Sequence, residues 1–343
     1  MTPRRKPRRQ APHAARHRRQ TGAALLAAML TVTLVATFAA AALWQQWRAS
    51  EVESAERARV QAAWVLVGAL DWSRLILRED GRAGGPDHLA EPWAVPLEEA
   101  RLTSFLAADK NVSSDELEGL PDAFLSGRIV DAQSKLNVLT LVNAGKPVPE
   151  SVAAFTKLFN LLNLPASELS VMTNSLTRTL ARTTDASAGG STDDDGGASA
   201  PLMPQEVSQL TWLGLSPSTV AALTPYVTVL PVPTTININT ASAEVLAASL
   251  PSLSIADARQ LVERRARSYF KQLSDANQGL PSGSQFNSTQ HGVGTQFFEV
   301  YGRLRIDRTW VEERSLLQRN GVTVSTVWRT RGAGASYAPP VKP

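Results

Sequence analysis

The chain has no cysteine and only four histidines among 343 residues. The first absence removes disulfides, thiol catalysis and cysteine-built zinc sites. The second leaves little material for a metal centre or a proton shuttle. Acids are missing where bases are dense. Residues 1–20 carry Arg4, Arg5, Lys6, Arg8, Arg9, Arg16, Arg18 and Arg19, with neither Asp nor Glu. The formal charge of +4 therefore conceals a split, because without those eight groups the rest of the chain stands at −4. The basic character belongs to a tail and not to a folded surface, which weighs against a nucleic-acid-binding body. Catalytic sets are missing as well. His13 and His17 lie in the basic tail, while His88 and His291 fall in loop-like stretches without an ordered partner pattern. No phosphate loop, dinucleotide fingerprint or two-histidine metal motif occurs. Glu312 and Glu313 read as solvent-facing. The expectation is a chain with no catalytic residues, and not an enzyme.

From Gln20 to Trp47 there is no ionisable side chain, a run of 28 residues. About 20 apolar residues suffice to cross a bilayer as a helix. The basic flank holds that end in the cytoplasm, and Trp44 and Trp47 suit the far headgroup layer. The segment at 18–40 reads RRQTGAALLAAMLTVTLVATFAA, basic residues and then Gly22 before the apolar run. An ordinary secretory signal has a shorter apolar region followed by a cleavage site. The alanine-rich stretch at 38–43 leaves that alternative open, but the helical pattern does not stop there. Residues 48–78 contain no proline and one glycine, Gly68. Val52, Ala55, Arg59, Ala62 with Ala63, Leu66 and Leu70 recur at helical spacing, and Val60, Trp64, Val67, Leu75 and Ile76 thicken that face. A single helix over 23–78 would be about 80 Å long, apolar all round in its first half and amphipathic in its second.

After a break at 78–96, residues 98–107 read as a short helix or the start of a strand. FLSGRIVD at 124–131 reads as a strand through Leu125, Ile129 and Val130. ESVAAFTKLFNLLNL at 150–164 puts Val152, Phe155, Leu158, Phe159 and Leu162 on one helical face, and a turn at 163–165 leads to a second helix at 167–180. Residues 183–201 are rich in Gly, Ser and Asp and read as a mobile loop. Within it Asp193, Asp194 and Asp195 lack the alternation of a calcium loop, so a solvated run is expected. A helix is expected over 210–223. PYVTVLP at 225–231 precedes TTININTASAEVLAASLPSLSIADARQLVERR at 234–265, two short helices with Thr240 and Ser254 as caps. Strands are expected at 297–307, 308–318 and 322–329. QRNGVTV marks a hairpin, and Val322, Val324, Thr326 and Trp328 form one face that would cover the long helix.

A basic leader ending at Gly22, the uninterrupted start Ala23-Ala24-Leu25-Leu26-Ala27, PYVTVLP and Asn237-x-Asn239-Thr240-Ala241 together resemble the pseudopilins of type II secretion, and among them the general secretion pathway protein K (GspK) family. The resemblance covers 18–329 and is weakest over 183–201, where the family's acidic, Trp-containing motif is not found. It implies an α+β fold, a long pilin-like transmembrane helix on an antiparallel sheet with a large inserted all-α domain. The implied division is a leader at 1–22, a membrane helix at 23–47, the first part of the pilin-like body at 48–133, the insertion at 134–267, the sheet at 268–330 and a disordered tail at 331–343. It implies cleavage by prepilin peptidase between Gly22 and Ala23 and N-methylation of Ala23.

Most members carry glutamate where this chain has Ala27. A buried glutamate needs the N-terminal ammonium of a neighbouring subunit, so its absence fits a subunit at the end of a filament. The implied setting is the inner membrane, with the C-terminal domain in the periplasm. The implied partners are other minor pseudopilins, the peptidase and membrane lipid, with no homopolymer and no nucleic acid. Calcium is implied by the resemblance only, with no ligands assigned. The alternative is a membrane-anchored helix-hairpin-helix protein, in which the hairpin at 237–265 grips DNA through Arg259, Arg264, Arg265 and Arg267. Its turn, Ser252-Leu253-Ser254, lacks the glycines that bring backbone N–H groups close to a phosphate.

Overall fold

The computed structural model describes residues 21–107, 122–187, 201–281, 283–306 and 309–333. The basic tail, the three consecutive aspartates and the C-terminal end lie outside the described residues. Helix α1 runs Thr21–Ala83. No proline interrupts its hydrogen-bond ladder. Its part up to Ala58 forms one compact unit, and residues 59–343 form another. In the first unit every side chain from Ala23 to Glu56 is exposed, and Trp44 and Trp47 stand with ring centroids 5.3 Å apart.

In the second unit the helix is amphipathic. Ala62, Leu66, Leu70 and Leu77 are buried at spacings that repeat one face. Val60, Trp64 and Leu75 were expected to thicken that face and do not. Trp64 is 72% exposed. It lies two residues after Ala62, about 200° round the helix.

The sheet is antiparallel, in the order β1 (Leu97–Arg101), β2 (Ala123–Asp131), β3 (Phe297–Ile306), β4 (Thr309–Asn320), β5 (Thr323–Ala333). The segment at 98–107 is strand and helix in turn, β1 followed by α2 (Leu102–Ala107). Leu70 and Leu77 of α1 meet Trp93, Phe298, Val300 and Leu317, with Ile129 and Val324 at the margin.

The β4–β5 hairpin turns through Gly321 and Val322 between paired Asn320 and Thr323. Gly321 has φ 58°, a conformation that favours glycine at the head of a two-residue loop. A bulge breaks the expected alternation in β5: Leu317 faces Thr326, but Leu316 faces Trp328. One extra residue flips the face. Trp328 therefore leaves the α1 side and joins Ala132, Leu230, Phe297 and Leu316 on the other.

The chain leaves the sheet after Asp131 and returns at Phe297, yet these ends are adjacent, with Asp131 paired to Phe298. Between them lie α3 (Pro149–Leu161), α4 (Ala166–Ser187), α5 (Pro217–Leu223), α6 (Ala243–Ser249), α7 (Ile255–Arg267) and α8 (Leu273–Asn277). Asn163 takes φ 55° in the turn between α3 and α4. One apolar core joins them, from Leu136 through Phe155, Leu158 and Phe159 to Leu246 and Leu261. That core continues through Phe270, Ala276 and Phe286. The inserted body thus extends past the boundary expected at 267, because these aromatic anchors pack into it and not onto the sheet.

Other boundaries differ too. The helix expected at 210–223 is a 3₁₀ segment, Val207–Leu213, and then α5, separated where Gly214 takes φ 99°. Of the loop expected at 183–201, the first residues are helical, since α4 continues to Ser187, and 188–200 lie outside the described residues. Ser242, not Thr240, caps α6 by accepting from Val245 N. Ser254 caps α7 as expected, in a reciprocal box with Asp257.

Candidate functional site: a bare apolar helix and a polar joint

Thr21 and Gly22 lie within α1. Ala23 and Ala27 are both exposed, one turn apart. Among the described residues one helix, Ala23–Ala83, is long and apolar enough to cross a membrane, and none of its most apolar stretch is buried among them. An exposed apolar surface of that length suits a bilayer or the helices of other chains.

The inserted body is tied to the sheet by side chains that sequence reasoning did not assign. Asp131, at the end of β2, is fully buried and accepts from Gln133 N at 2.7 Å, Asn237 Nδ2 at 2.9 Å and Thr240 Oγ1 at 2.6 Å. Burial pushes its carboxyl up to about 6, against these bonds. Asn237 also donates to the Asp87 carbonyl at 3.1 Å. Asn239 clamps Phe270, accepting from its N–H and donating to its C=O, each at 2.9 Å. Gln133 bridges Thr235 O and Gln296 N. The Asn-x-Asn-Thr motif is therefore a rivet, each polar group spent on main chain or on Asp131. The available signal was an acid closing an apolar strand and two asparagines inside an apolar run.

The hairpin formed by α6 and α7 engages two of its four arginines internally. Arg265 is 9% exposed and donates to Ile238 O at 2.6 Å, and burial brings its pKa down to about 10. Arg264 lies over the Phe270 ring, 5.0 Å from its centroid, and donates to Asp275 O. Ser252 Oγ donates to Gly283 O at 3.0 Å and meets Ser284 Oγ at 2.7 Å. Half of the four arginines expected to touch phosphate are engaged within the protein, which does not favour the DNA-gripping alternative.

The two described histidines, His88 and His291, serve packing. His291 is buried, its Nε2 is 3.0 Å from Ser249 Oγ, and burial lowers its pKa to about 4. His88 stacks on Tyr269 with centroids 3.8 Å apart. Glu313, expected to face solvent, is buried, forms an ion pair with Arg329 Nε at 2.8 Å and accepts from Arg331 Nε at 2.9 Å and Nη2 at 2.6 Å. The strand's alternation turns it toward α1, where Arg331 also donates to Ala63 O at 3.4 Å.

Among the described residues one group of acids could hold a cation: Asp80, Asp87 and Glu91, whose oxygens lie within 4.8 Å of one another. One guanidinium meets part of its charge. Arg319 pairs with Asp80 and, at 2.5 Å, with Asp87. Glu91 Oε2 accepts from His88 N at 2.9 Å and Trp93 Nε1 at 2.8 Å. A guanidinium occupies the place of an ion, and Glu91 is pushed up to about 7, chiefly by burial. Calcium wants six to eight oxygens. The group does not fit it.

Two family models, each described as "Type II secretion system (T2SS), protein K", match residues 134–232 and 236–294. A type II secretion system protein K from Pseudomonas aeruginosa is 30% identical over 327 residues, covering 91% of this chain and 90% of the relative. This chain belongs to the type II secretion system protein K family. A protein K from Pectobacterium carotovorum subsp. carotovorum is 29% identical over 345 residues, covering 94% of this chain and 99% of the relative. A chain of the crystal structure of the GspK-GspI-GspJ complex from the enterotoxigenic Escherichia coli Type 2 Secretion System shares the fold. Its TM-score is 0.59 at 20% identity, over 81% of this chain and 98% of that one. The family is one of minor pseudopilins, components of a secretion machine, and the long apolar helix, antiparallel sheet and inserted helical body agree with it. For a protein K, the rivet at Asp131 is what fixes the inserted body to the pilin-like sheet.

Proposed function

We propose that this chain caps the tip of the periplasmic pseudopilus and there supports export of folded proteins across the outer membrane. The observation that carries this reading is Ala27 within a helix that bears no acid from Ala23 to Arg48. A subunit inserted in the shaft would gain from a carboxylate paired with the next subunit's N-terminal ammonium. A subunit with nothing above it gains only an unpaired buried charge, which is costly. The inserted body adds bulk that would obstruct a further subunit above, so no homopolymer forms. The work is assembly, not catalysis.

The proposal includes the steps before assembly. The helix at 23–47 crosses the inner membrane with the basic leader in the cytoplasm and the C-terminal domain in the periplasm. Prepilin peptidase cuts between Gly22 and Ala23, and Ala23 is then N-methylated. Other minor pseudopilins are the partners, and the Escherichia coli neighbour, itself in a complex with GspI and GspJ, supports that choice. The exposed row of Val60, Trp64, Trp72 and Leu75 supports it too. Gly68 lies within that row and has nothing within 4 Å of a Cβ built on it, leaving room for a neighbouring helix to approach.

Intact-mass analysis of the membrane-extracted protein tests processing. A methylated start at Ala23 is expected, and a start near Leu43 would mean ordinary signal cleavage and a protein without its anchor. Immunogold labelling tests placement, with gold expected at filament ends only. Gold along the shaft refutes the cap.

A further inference from the structure

The turn between α6 and α7 holds a cation that the chain itself supplies. Lys157 reaches across from α3. Its Nζ donates to Leu250 O at 2.7 Å, Pro251 O at 3.0 Å and Leu253 O at 2.6 Å. Main-chain oxygens alone are its recorded acceptors among the described residues. The three oxygens belong to a short stretch of main chain. Helix α6 ends at Ser249, and Leu250, its cap, leaves the helix in an extended conformation. Leu253 N turns back to Leu250 O at 3.3 Å. The acceptors therefore belong to the cap and to the turn after it, where main-chain carbonyls are not taken up by a helical ladder.

Three neutral oxygens around one positive centre suit a monovalent cation. Divalent ions demand carboxylates and more ligands, whereas potassium is held by carbonyls that replace its hydration shell. An ammonium has three donors to match three acceptors and is a compact, strongly hydrated point charge.

We propose that the α6–α7 turn is a preformed carbonyl site for a monovalent cation of the ammonium and potassium class, which this chain fills with the tethered ammonium of Lys157. The tether makes occupancy independent of the medium. A free ion would bind three carbonyls weakly and come and go with salt, whereas Lys157 is anchored to α3 and always at hand. The hairpin turn is thereby rigid without metal or nucleic acid. This holds whether or not the protein caps a filament.

The test uses the full chain in detergent, native and Lys157→Met, which keeps an apolar stem but removes the charge. Thermal midpoints are measured in choline, potassium and ammonium chloride at equal ionic strength. The native midpoint should be the same in all three. The variant should melt about 3–6 °C lower in choline chloride, and potassium or ammonium should restore at least half of the loss. A variant as stable as the native protein in choline chloride overturns the proposal. So does a deficit of equal size in every salt, which would leave Lys157 a structural side chain and no more. If the variant does not fold in choline chloride, potassium or ammonium chloride should restore folding, and failure to fold in all three salts overturns the proposal.

Discussion

The sheet buries carboxylates against cationic side chains, whereas the inserted body buries neutral amides and hydroxyls beside its hydrocarbon core and directs Arg265 and Lys157 to main-chain carbonyls. In the sheet, Glu299 accepts from Lys135 at 3.2 Å, Arg314 at 2.9 Å and the Tyr301 hydroxyl at 2.6 Å. Those partners hold its carboxyl down at about 2 although burial alone would raise it. Glu313 and Arg319 are paired in the same manner. In the inserted body the core is Leu, Val, Ala and Phe, and Arg265 and Lys157 donate to carbonyl oxygens. One half depends on the ionisation of its side chains, the other on how well they fill space. Between the two halves sits Asp131, whose donors are all neutral.

The contrast can be broken most strongly in the inserted core. Phe159 is 0% exposed, and Phe159→Ala should cost about 3–5 kcal/mol. Hydrogen exchange would localise the damage: protection is expected to fall across 136–286 and to survive in β3 and β4. Equal loss in both would show that the two halves are one cooperative unit. Next in size, Glu299→Gln leaves Lys135 and Arg314 without a buried counter-charge and should cost about 3 kcal/mol in chemical denaturation at neutral pH.

Acid should separate the two carboxylates by sign. The contribution of Glu299 is fully present above its ordinary value of 4.5 and is lost as pH falls toward about 2. Asp131 runs the other way. Its proton is held more tightly in the folded chain, so its contribution declines as pH rises from 3.8 to about 6 and is level above that. Asp131→Asn should remove this decline while costing about 1–2 kcal/mol for the mismatched amide. A denaturation series from pH 3 to 8 reads both, and parallel profiles for the two variants would erase the distinction. The smallest effect belongs to the α7 cap: Ser254→Ala should lose about 1 kcal/mol and fray α7 in hydrogen exchange without touching the sheet.

Much of this was legible in the chain. The apolar helix, the β2 strand, the α3–α4 hairpin with its turn at Asn163 and the cap at Ser254 all follow from local pattern. The misreadings have local causes as well. Trp64 and Val60 were grouped with the buried face because apolar character was weighed above helical angle. Trp328 was placed on the α1 side because no sequence signal announced the bulge beside Leu316. Glu313 was given to solvent because its two arginines lie on the neighbouring strand, and pairing across strands is not written in either segment alone. Thr240 stands where a threonine usually caps a helix, but Asp131, far away in the chain, claims its hydroxyl.

The sequence by itself determined one unbroken apolar helix, an amphipathic continuation and helical segments lying between an early strand and the late ones, because periodicity and composition act over a few residues at a time; that those segments form an inserted domain came from the resemblance. Which acids are buried, which arginines they meet, and that a lysine on α3 closes the turn after α6 were decided only by the tertiary structure. Charges enter the interior when distant partners converge on them, and that convergence belongs to the packed whole.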